Sequence, residues 1–236
     1  MSSRVDTGTG ARTGARADTG TGAPTNSLDE IDRLFVQVFA LVGEAIAGAT
    51  HALLAGDREA AKELVTRDEL VDSLIREIAR LAQDELVVKN TDEAQRTELV
   101  AVLRMLPDLE RNGDLAEHIA RRAARGLGTE MSARSRGLVE RMGEVAATIW
   151  RETSDAFAER SVDGANNVDD LDDELDDLHV TLTAEIVSGT MPLPVAIELA
   201  MVARFYERFG DHAVNLARRM ASAVSGTPEP GSSGPD

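Results

Sequence analysis

Two five-residue stretches hold the side chains most able to do chemistry: Glu110-Arg111-Asn112-Gly113-Asp114 and Glu207-Arg208-Phe209-Gly210-Asp211. Each sets two carboxylates at i and i+4, one turn apart on one helix face. Like charges at that spacing weaken a helix by roughly 0.2–0.5 kcal/mol, and a mid-helix glycine costs about 1 kcal/mol more. Both penalties recur 97 residues apart. A bound cation is the compensation that these residue types suggest. Glu110 continues the helical line Leu99, Leu103, Leu106, and Glu207 continues Leu193, Ala196, Ala200, Ala203. That pattern predicts inward-facing carboxylates, which must take up protons or find a partner.

A second acidic pair accompanies each stretch. Asp68 and Asp72, in Asp68-Glu69-Leu70-Val71-Asp72-Ser73-Leu74, match Asp172 and Asp176, in Asp172-Asp173-Glu174-Leu175-Asp176-Asp177-Leu178, at an offset of 104 residues. The expected sites are therefore Asp68, Asp72, Glu110 and Asp114 in one half, and Asp172, Asp176, Glu207 and Asp211 in the other. Four carboxylates from two neighbouring helices suit hard or borderline cations such as magnesium, manganese or iron. His118 and Asn215 extend the two lines by two turns, but polar residues at a helix surface are more often solvated than ligating. His51, His179 and His212 have no repeat partner and read as structural or exposed. Met105, Trp150, Phe157 and Phe205 read as packing.

These acids need helices to hold them, and composition supplies that expectation. Aromatics are only 3% of 236 residues, while helix formers abound. Ser27 with Glu30 makes a capping box for a first helix whose apolar series is Ile31, Phe35, Val38, Val42, Ile46, Leu53. Gly56-Asp57 ends it, and a second helix presents Leu64, Val71, Leu74, Ile75, Ile78 and Leu81. Asn90-Thr91-Asp92 caps a third helix, to about residue 126, in which Pro107 predicts a kink. After Gly126-Leu127-Gly128-Thr129 come a fourth helix to about Glu159, a fifth from Asp163 to Ser188, and a sixth to about Val224. The fold is all-α: tandem three-helix bundles over 27–127 and 128–224, flanked by disordered tails at 1–26 and 225–236, which are too poor in apolar side chains to offset ordering entropy.

Charge and composition also exclude. With 42 acidic against 25 basic residues the net charge is −17, which repels nucleic acid and suits cations. No cysteine is present, so disulfides, thiolate–metal sites and a cysteine nucleophile are ruled out. The apolar run from Leu34 to Ala47 is interrupted by Gln37 and Glu44 and falls short of a membrane span. The N-terminus lacks a secretory core, so a soluble cytoplasmic protein is expected. No Glu-x-x-His occurs for a di-iron oxidase, and no phosphate-binding Gly-x4-Gly-Lys-Ser/Thr loop.

The paired motifs resemble the PhoU family of phosphate-signalling proteins. Residues 203–217, containing Glu207-Arg208-Phe209-Gly210-Asp211-His212 and Asn215, look like that family's Glu-Arg-x-Gly-Asp-His-x-x-Asn signature. Leu109 to Asp114 look like its partner copy, and the 68/72 and 172/176 pairs also fit, so the likeness spans roughly residues 28–224. Asn112 (usually apolar there), Pro107 and Ser161 (often Asp) depart from the pattern. The resemblance implies two similar bundles carrying multinuclear iron, manganese or magnesium clusters. It also implies a negative regulator of phosphate uptake, commonly a homodimer, working beside the phosphate ABC transporter and a sensor histidine kinase. A carboxylate-bridged metal hydrolase or oxidase is the alternative, disfavoured because a metal catalyst needs oriented ligands and an open position.

Overall fold

The computed structural model describes residues 27–87, 92–189 and 191–225; of the expected tails at 1–26 and 225–236, Ser225 belongs to the last helix and the rest, like Asn90-Thr91, lies outside the described residues. Among the described residues there are six helices, α1 (Ser27–Ala55), α2 (Arg58–Val87), α3 (Glu93–Ala124), α4 (Ala133–Glu159), α5 (Val162–Val187) and α6 (Leu193–Ser225), and one 3-10 turn at Leu127–Thr129. Helices α1–α3 form one bundle and α4–α6 the other. The two pack along α3/α6 and α1/α4, so the apolar interior is one continuous core.

The ends follow from local chemistry. Asp92 caps α3 by accepting from the Gln95 backbone while the Gln95 side chain accepts from Asp92 N–H, a reciprocal box. Ser132 caps α4 in the same manner through Ser135 N–H. The helices α1 and α4 both stop on a left-handed residue, Gly56 (φ 68°) and Arg160 (φ 49°), and these positions are 104 residues apart. The repeat is therefore written into the backbone as well as the side chains. Pro107 is exposed, and α3 runs through it as one unbroken helix.

Helix α1 is long and apolar enough to cross a membrane by length and composition. Its apolar stripe is consumed by the core instead: Ile31, Phe35, Val38, Val42, Ile46 and Leu53 are fully buried. Trp150 joins the halves, donating its Nε1–H to the Phe39 carbonyl at 2.7 Å with its ring against Phe39 and Phe209. Tyr206 of α6 and Thr50 of α1 share a buried 2.7 Å hydrogen bond. Burial pushes the tyrosine hydroxyl well above its ordinary pKa, so it stays protonated.

Helices α3 and α6 cross the molecule antiparallel, and each end of the seam is tied by one arginine. Arg219 of α6 donates to buried Asp108 of α3 and, at 2.8 Å, to the Arg104 carbonyl. His212 Nδ1 lies 3.3 Å from the same Asp108 carboxylate. Ninety-seven residues back, Arg122 of α3 lies over the Phe205 ring of α6 at 4.5 Å. The Arg219 end is thus an ion pair to a buried carboxylate, and the Arg122 end combines a cation–π contact with pairing to Glu198 of α6.

Candidate metal centre

The second acidic set assembles as its spacing predicts. Asp172 and Asp176 on α5 face Glu207 and Asp211 on α6, and all four interact electrostatically. Helix α5 comes close because α6 offers a glycine. A Cβ built at Gly210 would collide with Asp172 Oδ1 and stand 2.9 Å from Leu175 Cδ2. The mid-helix glycine is therefore accounted for by helix packing, whatever a cation adds. Burial, then Asp176, Asp211, Asp169 and Asp173, push the Asp172 carboxyl up to about 7. Burial and Asp211 raise Glu207 as well, against the pull of Arg204 and His179. Asp172 Oδ1 and Glu207 Oε2 are buried oxygens with no hydrogen-bond donor among the described residues.

The first set assembles differently. Asp68 and Asp72 on α2 meet Asp114 on α3, and burial followed by Glu117, Asp114 and Asp72 raises the Asp68 carboxyl to about 6. Asp114 is raised by burial, with Asp72 and Glu117 adding repulsion and His118 opposing it. Glu110 stands apart. It is exposed, as is Asp114, so the expected inward line through Leu99, Leu103 and Leu106 fails at its last step. Four residues advance a helix about 40° beyond one turn, and by Glu110 the line has rolled out to solvent. The α6 line fails similarly at Leu193 and Ala200, both exposed; the buried stripe is Leu199, Val202, Tyr206, Phe209 and Ala213.

Glu117, one turn after Asp114, is the acid that sequence reasoning missed in the first half. It was legible as another carboxylate at i+3 on the same face. His179 was set aside for want of a repeat partner, yet it lies near enough to Glu207 to favour its ionised form. Its counterpart at the 104-residue offset is Ile75. The His118 ring lies tilted against Phe205, centroids 5.2 Å apart, and Asn215 is exposed. Met105, Trp150 and Phe205 pack as expected.

Among the described residues, no three Asp, Glu or His side chains are gathered into a ready-made ion cage. The donor chemistry of the α5/α6 set nevertheless fits a hard cation: four carboxylates, two raised pKa values and two buried oxygens without donors. On the first half Asp68, Asp72 and Asp114 are joined by the half-buried Glu117, while Glu110 is exposed.

Fold and site together define a class: a tandem-repeat helical protein whose two bundles each carry an acidic seam between the middle and last helix. The PhoU domain model matches residues 35–123 and 139–220, and the chain belongs to the PhoU family. A phosphate-specific transport system accessory protein PhoU homolog of Rhizobium meliloti is 28% identical over 204 residues, covering 84% of this chain and 86% of the relative. The corresponding Caulobacter vibrioides homolog is 30% identical over 84% of this chain and 89% of its own. Among solved structures, PhoU from Pseudomonas aeruginosa superposes with a TM-score of 0.79 at 26% identity, over 85% of this chain and 98% of that one.

Proposed function

We propose that this protein is a non-catalytic, metal-binding regulator of phosphate uptake and phosphate-responsive signalling. It acts in the cytoplasm as a homodimer, beside a phosphate ABC transporter and a sensor histidine kinase, as a negative regulator. Family membership supports the link to a phosphate transport system, since relatives bear the name of accessory proteins of such systems. The observation that carries the metal reading is the α5/α6 seam, where burial and neighbouring carboxylates raise Asp172 and Glu207 and one oxygen of each is left without a donor. A divalent or multinuclear iron, manganese or magnesium centre neutralises that repulsion without any proton. Asp172, Asp176, Glu207 and Asp211 hold it in the second half. Asp68, Asp72 and Asp114 hold it in the first, with Glu110 and Glu117 competing for the fourth place.

Elemental analysis of full-length protein purified without chelator tests this. Bound metal is expected, and Asp172→Asn with Asp176→Asn is expected to lower it. An unchanged metal content would remove the assignment. Turnover of phosphate esters by the metal-loaded protein would favour the hydrolase alternative instead.

A further inference from the structure

The two ends of the α3/α6 seam each open into a cleft, and the two clefts are related by the internal repeat. One, of about 430 Å³, lies beside the C-terminal end of α6 and is floored by Met105, Phe157 and Met220. Its single cation, Arg160, is satisfied by Asp32 at 2.9 Å and Glu98 at 2.7 Å. The other, of about 500 Å³, lies beside the C-terminal end of α3 and is lined by Arg58, Arg122, Arg125, Gly126, Glu130 and Glu198. Here the ratio reverses. Three guanidinium groups face two carboxylates, Glu198, which pairs with Arg122 and Arg125, and the exposed Glu130, in a chain whose net charge is −17.

Two of these arginines are held in place. Arg122 donates to the His118 carbonyl at 3.0 Å, lies over Phe205, and sets Nε 3.0 Å from Glu198 Oε2. Arg125 donates to the Arg121 carbonyl at 3.3 Å and reaches Glu198 Oε1 at 3.5 Å. Arg58 makes no hydrogen bond or ion pair with a described residue. Its guanidinium lies against Gly126, where any Cβ would collide with it. Burial depresses the pKa of Arg122 against Glu198's opposing pull, and Arg125 adds repulsion, so a second anion is electrostatically welcome. Glu198 bridges the two arginines, one carboxylate oxygen toward each, in the place that a planar or tetrahedral oxyanion would take.

We propose that this cleft is a binding site for a small phosphate-bearing anion, with Glu198 as the resident carboxylate that the ligand displaces. Guanidinium forks match phosphate oxygens in number and geometry, and three of them within one cleft match more than one negative charge. The cleft uses none of the paired carboxylates of the acidic seams and does not depend on metal. It stands or falls independently of the regulatory reading above.

Isothermal titration of the full chain, stripped of divalent ions on a chelating resin, tests it with pyrophosphate, orthophosphate and ATP, and with citrate as carboxylate control. Saturable pyrophosphate binding is expected, tighter than citrate and weakening as salt rises. Arg58→Glu with Arg125→Glu, both exposed positions, should weaken it at least tenfold while unfolding in urea stays cooperative. Glu198→Gln should tighten it severalfold by removing the competitor. ATP binding at or above pyrophosphate affinity would identify a nucleotide tail as the source, and weaker ATP binding the free anion. The proposal is overturned by no saturable heat up to about 5 mM pyrophosphate, by binding indifferent to the double variant, by unchanged or weaker binding in Glu198→Gln, or by citrate binding as well as pyrophosphate.

Discussion

The halves of this molecule descend from one pattern yet execute it differently. In the second half Glu207 is half-buried beside Arg204, and Gly210 admits Asp172 so closely that a methyl group would not fit. In the first, Glu110 has rolled into solvent, and a Cβ at Gly113 would lie 3.3 Å from Val71 Cγ1 and 3.4 Å from Asp68 Oδ1. The seam between them differs in kind: Asp108 and Asn112 of α3 stand where α6 has Phe205 and Phe209. A repeat fixes which residues occupy equivalent turns. It does not fix how far each helix is rolled or how closely its neighbour approaches, and those two quantities set burial and pKa.

The seam gives the largest expected contrast. Arg219→Met leaves Asp108, 2% exposed, with only the exposed Arg111 guanidinium at 3.6 Å and should cost about 3 kcal/mol in urea unfolding. Arg122→Met removes a cation–π contact and leaves the 36% exposed Glu198 with Arg125 still as partner, so it should cost only about 1 kcal/mol. Equal losses would erase the distinction between the two ends.

Next come the glycines. Gly210→Ala forces Asp172 and Leu175 aside and should destabilise by about 2 kcal/mol. Gly113→Ala gains about 1 kcal/mol of helix propensity against a mild contact, so its unfolding midpoint should stay near that of the parent. The metal content should follow the same asymmetry, falling more for Glu207→Gln than for Glu110→Gln when counted by elemental analysis.

The smallest effect is the pH dependence of the metal-free protein. Asp172 (up to about 7) and Asp68 (about 6) bind protons more tightly folded than unfolded, where the ordinary value is 3.8. Between roughly pH 4 and 7 the folded state therefore holds more protons, and stability falls as pH rises through that window. Thermal unfolding from pH 5 to 8 should show this decline. Asp172→Asn should flatten it more than Asp68→Asn, and added manganese should reverse it.

Much of this was legible from the chain alone. Six helices, their boundaries at Gly56, Gly126 and Gly189, and the pairing of 68/72 with 172/176 follow from caps, breakers and repeats, because those signals are local. The roll of Glu110 was not, since an i+4 line drifts off a 3.6-residue helix and only packing decides where it leaves the core. The role of Gly210 was misjudged for a related reason. Its cost is visible in one sequence, whereas the close approach of α5 that requires it belongs to another helix. His212 looked idle by spacing and proves to lie 3.3 Å from Asp108, a contact across 104 residues that no periodicity could reveal.

The lone tryptophan has a practical consequence. Trp150 sits on α4 but anchors to a carbonyl of α1 and stacks on a ring of α6, so its indole senses both bundles simultaneously. Intrinsic fluorescence should therefore redden in a single step when the bundles part, giving a label-free gauge of whether an ion or anion draws them together or lets them loosen.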